Sequence, residues 1–368
     1  MRERFRALKQ IDWILLVIPI LLTSVGLVMI YSLGLAQGSM SLFWSQVAYA
    51  AIAIVVFYIV SSFDYQLFKQ ASPALYVITV LLLIAVLFIG RTTLGATRWI
   101  NLGSFQLQPA ELMKAILILI VARLLGDSVG NISWSRFFIV LVAAAIPIVL
   151  TLLQPDLGTA VVLAAIVGSM VLASRLNVRQ LGASAFIIVA VLGLGWVTLK
   201  DYQRARIEVF LNHSSDAQGS SYNVRQSIIA VGNGGLTGEG IGRGSQSQLN
   251  FLPVAHTDFM FATLAEATGL VGSLTVLLLY AFLIWRIWRL SELLNDSFAM
   301  LVAVGVGTMI CVQVVVNVGM NIGLLPVTGI PLPFVSHGGS SLIVAVFVVA
   351  LLESMYRRQR RAGFSLSS

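Results

Sequence analysis

Long apolar runs separated by polar segments make up most of this chain, and they restrict its fold more than any other feature. A helix that crosses the hydrocarbon core of a bilayer needs roughly 20 apolar residues. Ten runs approach that length, at approximately 13–32, 43–61, 73–90, 107–125, 137–153, 157–174, 181–199, 258–285, 297–320 and 338–356. Because backbone groups in lipid must be satisfied within the chain, the pattern predicts an all-α polytopic membrane protein of about ten transmembrane helices.

The composition supports the same class of protein. Of the 368 residues, 58% are hydrophobic and only 10% are charged, whereas a soluble globular protein has about 25% charged residues. The formal net charge is +8, but the basic residues flank the apolar runs. Basic residues in such positions are typical of membrane orientation signals. We therefore expect these charges to interact with the membrane, and we expect no nucleic acid as a partner.

The basic residues also predict the orientation. Ten spans place both termini on one side, and the termini with the even-numbered loops carry 15 Lys and Arg residues. The odd-numbered loops carry seven, five of them in one long loop, and long loops count less in the positive-inside rule. Both termini are therefore predicted to be cytoplasmic, which places the large loop between spans 7 and 8, about 200–257, on the outer face.

Two motifs place acidic residues at predicted helix starts on that outer face. QPAELMK, at 108–114, has Glu111 in the first turn and Lys114 one turn later on the same helix face. QPDLGTA, at 154–160, has Asp156 in the equivalent place. Each motif has two readings: an acid that interacts with the helix dipole, with an internal ion pair in the first motif, or charged groups that line a shared polar cavity.

The long loop contains DYQRAR and then a glycine-rich stretch, GNGGLTGEGIGRG. No GKS or GKT follows the glycines, so the stretch is not a P-loop. It could be a flexible loop or a backbone nest for an anion. Arginine binds phosphate groups in a bidentate manner, and the arginines of this loop that could do so are Arg204, Arg206, Arg225 and Arg243.

Two further outer segments contain unusual polar sequence. FLPVAHTDFMFATLAEATG, at 251–269, brings His256 and Asp258 to the start of span 8, with Glu266 about 12 Å further along the helix. The second segment, GLLPVTGIPLPFVSHGGSS at 323–341, contains three prolines. Proline forces extended or turn backbone, which survives at membrane depth only against protein or a water-filled cavity. No His and carboxylate cluster at metal spacing is evident, so the sequence identifies no metal site and no cofactor and leaves a dependence on divalent metal open.

Together these motifs resemble the SEDS family (shape, elongation, division and sporulation proteins). The resemblance covers nearly the whole chain, 1–368, as a single transmembrane domain, and it is stronger to the elongation branch than to the division branch. It implies a peptidoglycan glycosyltransferase of the bacterial cytoplasmic (inner) membrane, with an outward-facing active site. The implied substrate is lipid II. The implied partners are a class B penicillin-binding protein transpeptidase and other elongation-complex membrane proteins.

The resemblance also implies roles for individual residues. Asp258 matches the family's essential aspartate, which we interpret as a general base, and Glu111, Lys114 and Asp156 match its charged cavity. Candidate substrate-binding residues are Arg98, Arg204, Arg206, Arg243, His256 and Ser336. No second close carboxylate is evident beside Asp258, so we expect inversion by a single displacement. A lipid II flippase and a non-catalytic scaffold of the cell-wall synthesis complex remain alternatives.

Overall fold

The computed structural model describes residues 11–93, 96–102, 105–126, 132–174, 177, 179–180, 182–184, 220–249, 251–252 and 254–365. The helices are α1 (Trp13–Ala36), α2 (Ser41–Ser62), α3 (Tyr65–Ile89), α4 (Pro109–Gly126), α5 (Trp134–Leu153), α6 (Leu157–Ala173), α7 (Ser220–Asn233), α8 (Ser245–Gln248), α9 (Met260–Leu293), α10 (Ser297–Asn321) and α11 (Gly339–Ser365). The strands are β1 (Arg91–Thr93), β2 (Ala96–Leu102) and β3 (Phe105–Leu107).

Most of the predicted spans coincide with these helices. Within the described ranges, seven helices are long and apolar enough to cross a membrane: α1, α2, α3, α5, α9, α10 and α11. The predicted fourth and sixth spans form α4, which carries three charged residues, and α6, which has only 17 residues. The predicted seventh span, 181–199, lies outside the described residues apart from 182–184. The coarse expectation of a multi-helix membrane fold is confirmed, while the count of ten stays a prediction.

Polar side chains begin several of the helices at the places where the apolar runs start. Asp12, Asp64, Ser133, Asp156 and Asp296 each accept hydrogen bonds from amides of the first turn that follows. The first four amides of a helix have no partner within the helix, and a capping side chain satisfies one or two of them. These caps therefore fix where each helix begins.

Buried and exposed helices occupy different places in the bundle. Helices α4, α10 and α11 are largely buried, and α4 packs against α3, α5, α6 and α10. Helices α2 and α3 instead expose large apolar side chains such as Tyr58 and Phe88 over much of their length. A water-soluble monomer rarely exposes apolar patches of this size. The buried helices are therefore the protein core, and the exposed apolar faces are the surface that contacts lipid.

The predicted loop between spans 3 and 4 is not irregular, and in this respect the all-α expectation was wrong. Residues of this segment form a small antiparallel sheet in the order β1-β2-β3, with Ile100 opposite Leu107 and Leu102 opposite Phe105. The sheet packs against α3 and α4. It extends directly into the first turn of α4, so it fixes the position of Arg98 on β2 relative to the start of that helix.

The glycine-rich stretch is ordered against a break in α9. Gly269 has φ 67° and ψ −164° inside this helix, a conformation that glycine tolerates better than any other residue. The amides of Glu239 and Gly240 donate to the carbonyls of Glu266 and Ala267 beside the break. These two amides therefore satisfy carbonyls beside the break in the helix, so they are not available to bind an anion.

Candidate active site

Asp258 lies immediately before α9, and its backbone is fixed from α10. Its carbonyl accepts hydrogen bonds from the side-chain amides of Asn317 and Asn321, both at 3.0 Å. Asn321 also accepts from the Ala262 amide of α9, and Asn317 donates to the Ile330 carbonyl at 2.8 Å. Polar side chains within a membrane helix are expensive unless they are paired. Here two asparagines one turn apart hold the start of α9 in place.

The Asp258 carboxylate and the Arg98 guanidinium approach the same point. A Cβ placed on Gly329 would lie 3.5 Å from Oδ2 of Asp258 and 4.0 Å from Nη1 of Arg98. Gly329 has φ +74° and belongs to the proline-rich segment that follows α10. Glycine is therefore favoured at this position by its backbone conformation, and its missing side chain leaves room between the two charged groups.

Arg98 reaches this point from β2 because three polar groups orient it. Its Nε donates to the carbonyl of Gln154 at 3.3 Å, and its Nη2 donates to the carbonyl of Pro155. Its Nη1 lies 3.7 Å from Oδ1 of Asp156. Two of the three guanidinium nitrogens are thus committed to the turn between α5 and α6. Nη1, which lies near Asp156, also approaches Gly329.

Both carboxylate oxygens of Asp156 are used within the protein. Oδ1 accepts from the Thr159 amide at 3.2 Å and lies near Arg98, while Oδ2 accepts from the Thr159 hydroxyl at 2.9 Å and from the Gln108 side chain at 3.3 Å. The side chain is almost fully buried. The sequence left two roles open for Asp156, a helix cap or a member of a charged group. In the structure Asp156 has both roles. It orients Arg98, and none of its oxygens is directed away from the protein.

Glu111 and Lys114 form a buried ion pair in the first turns of α4. The Lys114 Nζ donates to Oε1 of Glu111 at 2.7 Å, and both residues are at most 3% exposed. A cavity of about 10 Å³ beside the pair is also lined by Pro331 and Pro333. The pair thus lies against the same proline-rich segment that carries Gly329. It supports the backbone on which the Asp258 and Arg98 groups converge.

Two histidines and a serine connect the proline-rich segment to the loop of Asp258. The rings of His256 and His337 are edge-on at 5.6 Å, and the His337 amide donates to the His256 carbonyl at 2.8 Å. The Ser336 hydroxyl donates to the Thr257 carbonyl at 2.6 Å and accepts from the Leu332 amide at 2.9 Å. Ser336 therefore positions the residue next to Asp258.

Burial makes these histidines poor proton acceptors. It lowers the pKa of His256, and it lowers the pKa of His337 to about 4, with the charge of His256 as a second cause. Both rings are accordingly neutral near pH 7, so they can exchange hydrogen bonds but cannot supply positive charge. Nε2 of His337 lies 3.2 Å from the Ser45 hydroxyl of α2, which orients the ring.

Of the other sequence candidates, Arg243 and Glu266 have contacts within the glycine-rich stretch and at the start of α8. Arg243 lies exposed in the glycine-rich stretch, where its amide closes a turn onto the Gly240 carbonyl. Glu266 is fully buried and accepts from the amides of Gln246 and Ser247, which begin α8. Arg204 and Arg206 lie outside the described residues.

Sequence reasoning missed Asn317, Asn321 and Gly329. The two asparagines had a readable signal, because VVVNVGMN places two amides four residues apart in an apolar run, and such residues are expected to be paired or functional.

Comparison with known proteins identifies the family. A family model described as a cell cycle protein, whose name joins FtsW, RodA and SpoVE, matches residues 12–361. The chain belongs to this family. The match covers nearly all of the sequence, so it includes every described residue of the site, and it confirms the resemblance to the SEDS proteins.

Similar proteins agree with this assignment. The peptidoglycan glycosyltransferase MrdB of Escherichia coli K12 is 39% identical over 318 residues, which cover 86% of each chain. A solved structure described as "Structural coordination of polymerization and crosslinking by a peptidoglycan synthase complex" has a TM-score of 0.78 at 29% identity, covering 95% of this chain and 98% of the other. The crystal structure of the rod shape determining protein RodA of Thermus thermophilus has a TM-score of 0.71 at 28% identity, covering 94% and 97%.

Proposed function

We propose that this chain is a peptidoglycan glycosyltransferase that joins lipid II units into glycan strands at the outer face of the bacterial cytoplasmic membrane. The similarity to MrdB over most of both chains supports this activity. The observation that carries the mechanism is the convergence of Asp258 and Arg98 at Gly329. A carboxylate and a guanidinium that face one space are the groups that sugar transfer from a pyrophosphate requires.

Asp258 acts as the general base. The acceptor sugar hydroxyl attacks the anomeric carbon of the donor, and a carboxylate within hydrogen-bond reach takes the proton of that hydroxyl. The new glycosidic bond forms as the bond to the pyrophosphate breaks, and polyprenyl pyrophosphate leaves. Side-chain hydrogen bonds from Asn317 and Asn321 to the Asp258 carbonyl fix the backbone that carries this carboxylate.

Arg98 stabilises the leaving group. Negative charge develops on the pyrophosphate as the bond breaks, and a fixed cation lowers the free energy of that transition state. Because Nε and Nη2 are held by carbonyls of the turn before α6, Nη1 is oriented in advance. Arg204, Arg206 and Arg243 are further candidates for the pyrophosphates of donor and acceptor, and His256 for a neutral hydrogen bond to a sugar.

The displacement inverts the anomeric centre. A double displacement needs a second carboxylate as nucleophile about 5 Å from the first. Asp156 also approaches Arg98, but its oxygens are occupied by Thr159, Gln108 and Arg98. A single displacement by the acceptor hydroxyl needs only the one base. No cofactor enters this scheme.

The proposed cellular setting rests on the charge distribution and on the resemblance to the elongation branch. We place both termini in the cytoplasm and the Asp258 group outside, and we assign the chain to elongation and rod shape, with division as the alternative. Its proposed partner is a class B penicillin-binding protein that cross-links the new strands, because a similar fold occurs in a structure described as a peptidoglycan synthase complex.

The experiment is polymerisation of purified lipid II by the wild-type chain and by Asp258→Ala. We expect wild type to form glycan polymer and the variant to be slower by about 10²–10⁴-fold, the usual contribution of a general base. Glu292→Gln is the control, since Glu292 is exposed near the other end of α9 and, among the described residues, pairs with Arg289. Failure of wild type to polymerise lipid II, with transport of lipid II across vesicles instead, would overturn the enzyme in favour of a flippase. Equal rates for Asp258→Ala and wild type would remove the assigned base.

A further inference from the structure

A polar cavity at the other end of the bundle is not used by the proposed reaction. It has a volume of about 150 Å³ and lies between the end of α2 and the last turns of α11. Its lining consists of Ser61, Ser62, Ser354, Arg357 and Arg358. The two arginines belong to the basic C-terminal segment that the charge distribution assigns to the cytoplasmic face.

Arg357 lines this cavity with a side chain that is partly accessible, at 22% relative exposure. Within the described part of the chain its charged partner, Glu353, lies 4.0 Å from Nε, which is longer than a hydrogen bond. A guanidinium can only donate, so a ligand that the accessible part of Arg357 binds in the cavity must be an acceptor.

Within the described residues, the other polar groups around the cavity already have partners of their own. Asp64 pairs with Arg358 at 3.0 Å, and the Glu353 carboxylate accepts from the amide of Asp12 at 3.1 Å. The serine hydroxyls donate to carbonyls near the end of α2, Ser62 to Tyr58 and Ser354 to Phe63. These hydrogen bonds reduce the repulsion that the partially negative carbonyls at a helix end would exert on an anion.

The surroundings of the cavity favour a lipid as the source of the acceptor. Ser62 and Phe63 are exposed at the rim, and Val55, Tyr58 and Ile59 expose apolar surface on the preceding turns of α2. Acyl chains can lie along that apolar face while the headgroup enters the polar cavity. Basic pockets between membrane helices on the cytoplasmic side are known to bind anionic headgroups.

We propose that this cavity binds the phosphate of an anionic phospholipid of the inner leaflet, with Arg357 as its main hydrogen-bond donor and Arg358 at its edge. The bound phosphate would bridge the end of α2 to α11, two helices that already pack closely. This site is separate from the Asp258 group, and it stands whether or not the proposed reaction is correct.

The test uses the purified full-length chain in neutral detergent with phosphatidylglycerol, phosphatidylcholine or inorganic phosphate added. Native mass spectrometry reports bound lipid, and the thermal unfolding midpoint reports stabilisation. We expect wild type to prefer phosphatidylglycerol by about tenfold, because a charge-assisted hydrogen bond to phosphate is among the stronger polar contacts. Arg357→Gln should bring the preference close to one.

Two further variants make the result decisive. Arg289→Gln removes an exposed arginine at the same end of the molecule and should leave the preference unchanged. Ser62→Leu narrows the rim without removing either arginine, and it should also abolish the preference, which keeps the proposal testable if Arg357→Gln does not fold. Retention of the wild-type preference by both site variants would overturn the proposal. Equal stabilisation by inorganic phosphate alone would overturn the lipid assignment and identify a soluble phosphate ligand.

Discussion

Buried charges at the two ends of α9 are used in different ways. At the far end, Asp12 accepts from Arg286 at 2.7 Å and caps α1, and its amide donates to Glu353. These contacts join α1, α9 and α11. At the near end, Asp258 and Arg98 are held by their surroundings but directed at the space beside Gly329.

Burial and charge alone do not distinguish a structural group of charged residues from a functional one, as the two ends of α9 illustrate. Intramembrane charges are functional candidates by default, and both groups meet that criterion. Only the Asp258 group lies against irregular backbone, in the proline-rich segment after α10 and the turn before α6. The first group joins helices, whereas the second converges beside a glycine in irregular backbone.

The largest expected effect on stability concerns the ion pair of α4. Lys114→Ala leaves Glu111 as an uncompensated buried charge, which should cost about 3–5 kcal/mol of stability. The thermal unfolding midpoint in detergent would measure it. The double variant Glu111→Leu with Lys114→Met removes both charges and should recover most of the loss. If Lys114→Ala melts like wild type, the pair is not the support assigned to it here.

The next effect separates orientation from charge at Arg98. Arg98→Gln should lower the rate of lipid II polymerisation by about 10²–10³-fold, as removal of a fixed donor to a developing anion usually does. Arg98→Lys keeps the charge but not the fork that binds the two carbonyls, so it should recover only part of the rate. Full activity of Arg98→Gln would show that another cation stabilises the leaving group.

Much of this arrangement could be predicted from sequence. The apolar runs located the helices because spanning length is a strong constraint, and QPAELMK and QPDLGTA placed Glu111, Lys114 and Asp156 correctly at helix starts. The small sheet was missed because its short strands resemble a polar loop. Gly329 could not be predicted, since nothing local to the proline-rich segment indicates that Asp258 and Arg98 would meet there.

The smallest expected effect concerns pH. The pKa of His337 is lowered to about 4 from 6.5, so between these values the unfolded chain binds more protons than the folded one. Stability is therefore retained above about pH 6.5 and is lost as the pH falls toward 4. Thermal midpoints measured across this range should show a shallower slope for His337→Gln than for wild type. Identical slopes would remove His337 as the cause.

The most direct measurement sets one aspartate of each group against the other. Asp258→Asn and Asp12→Asn would be compared for polymerisation rate per folded molecule and for thermal midpoint. We expect Asp258→Asn to lose about 10²–10⁴-fold in rate with a nearly unchanged midpoint, and Asp12→Asn to lose stability while its folded molecules remain active. An active Asp258→Asn, or one that is inactive only because it does not fold, would contradict the central claim that this carboxylate is the catalytic base.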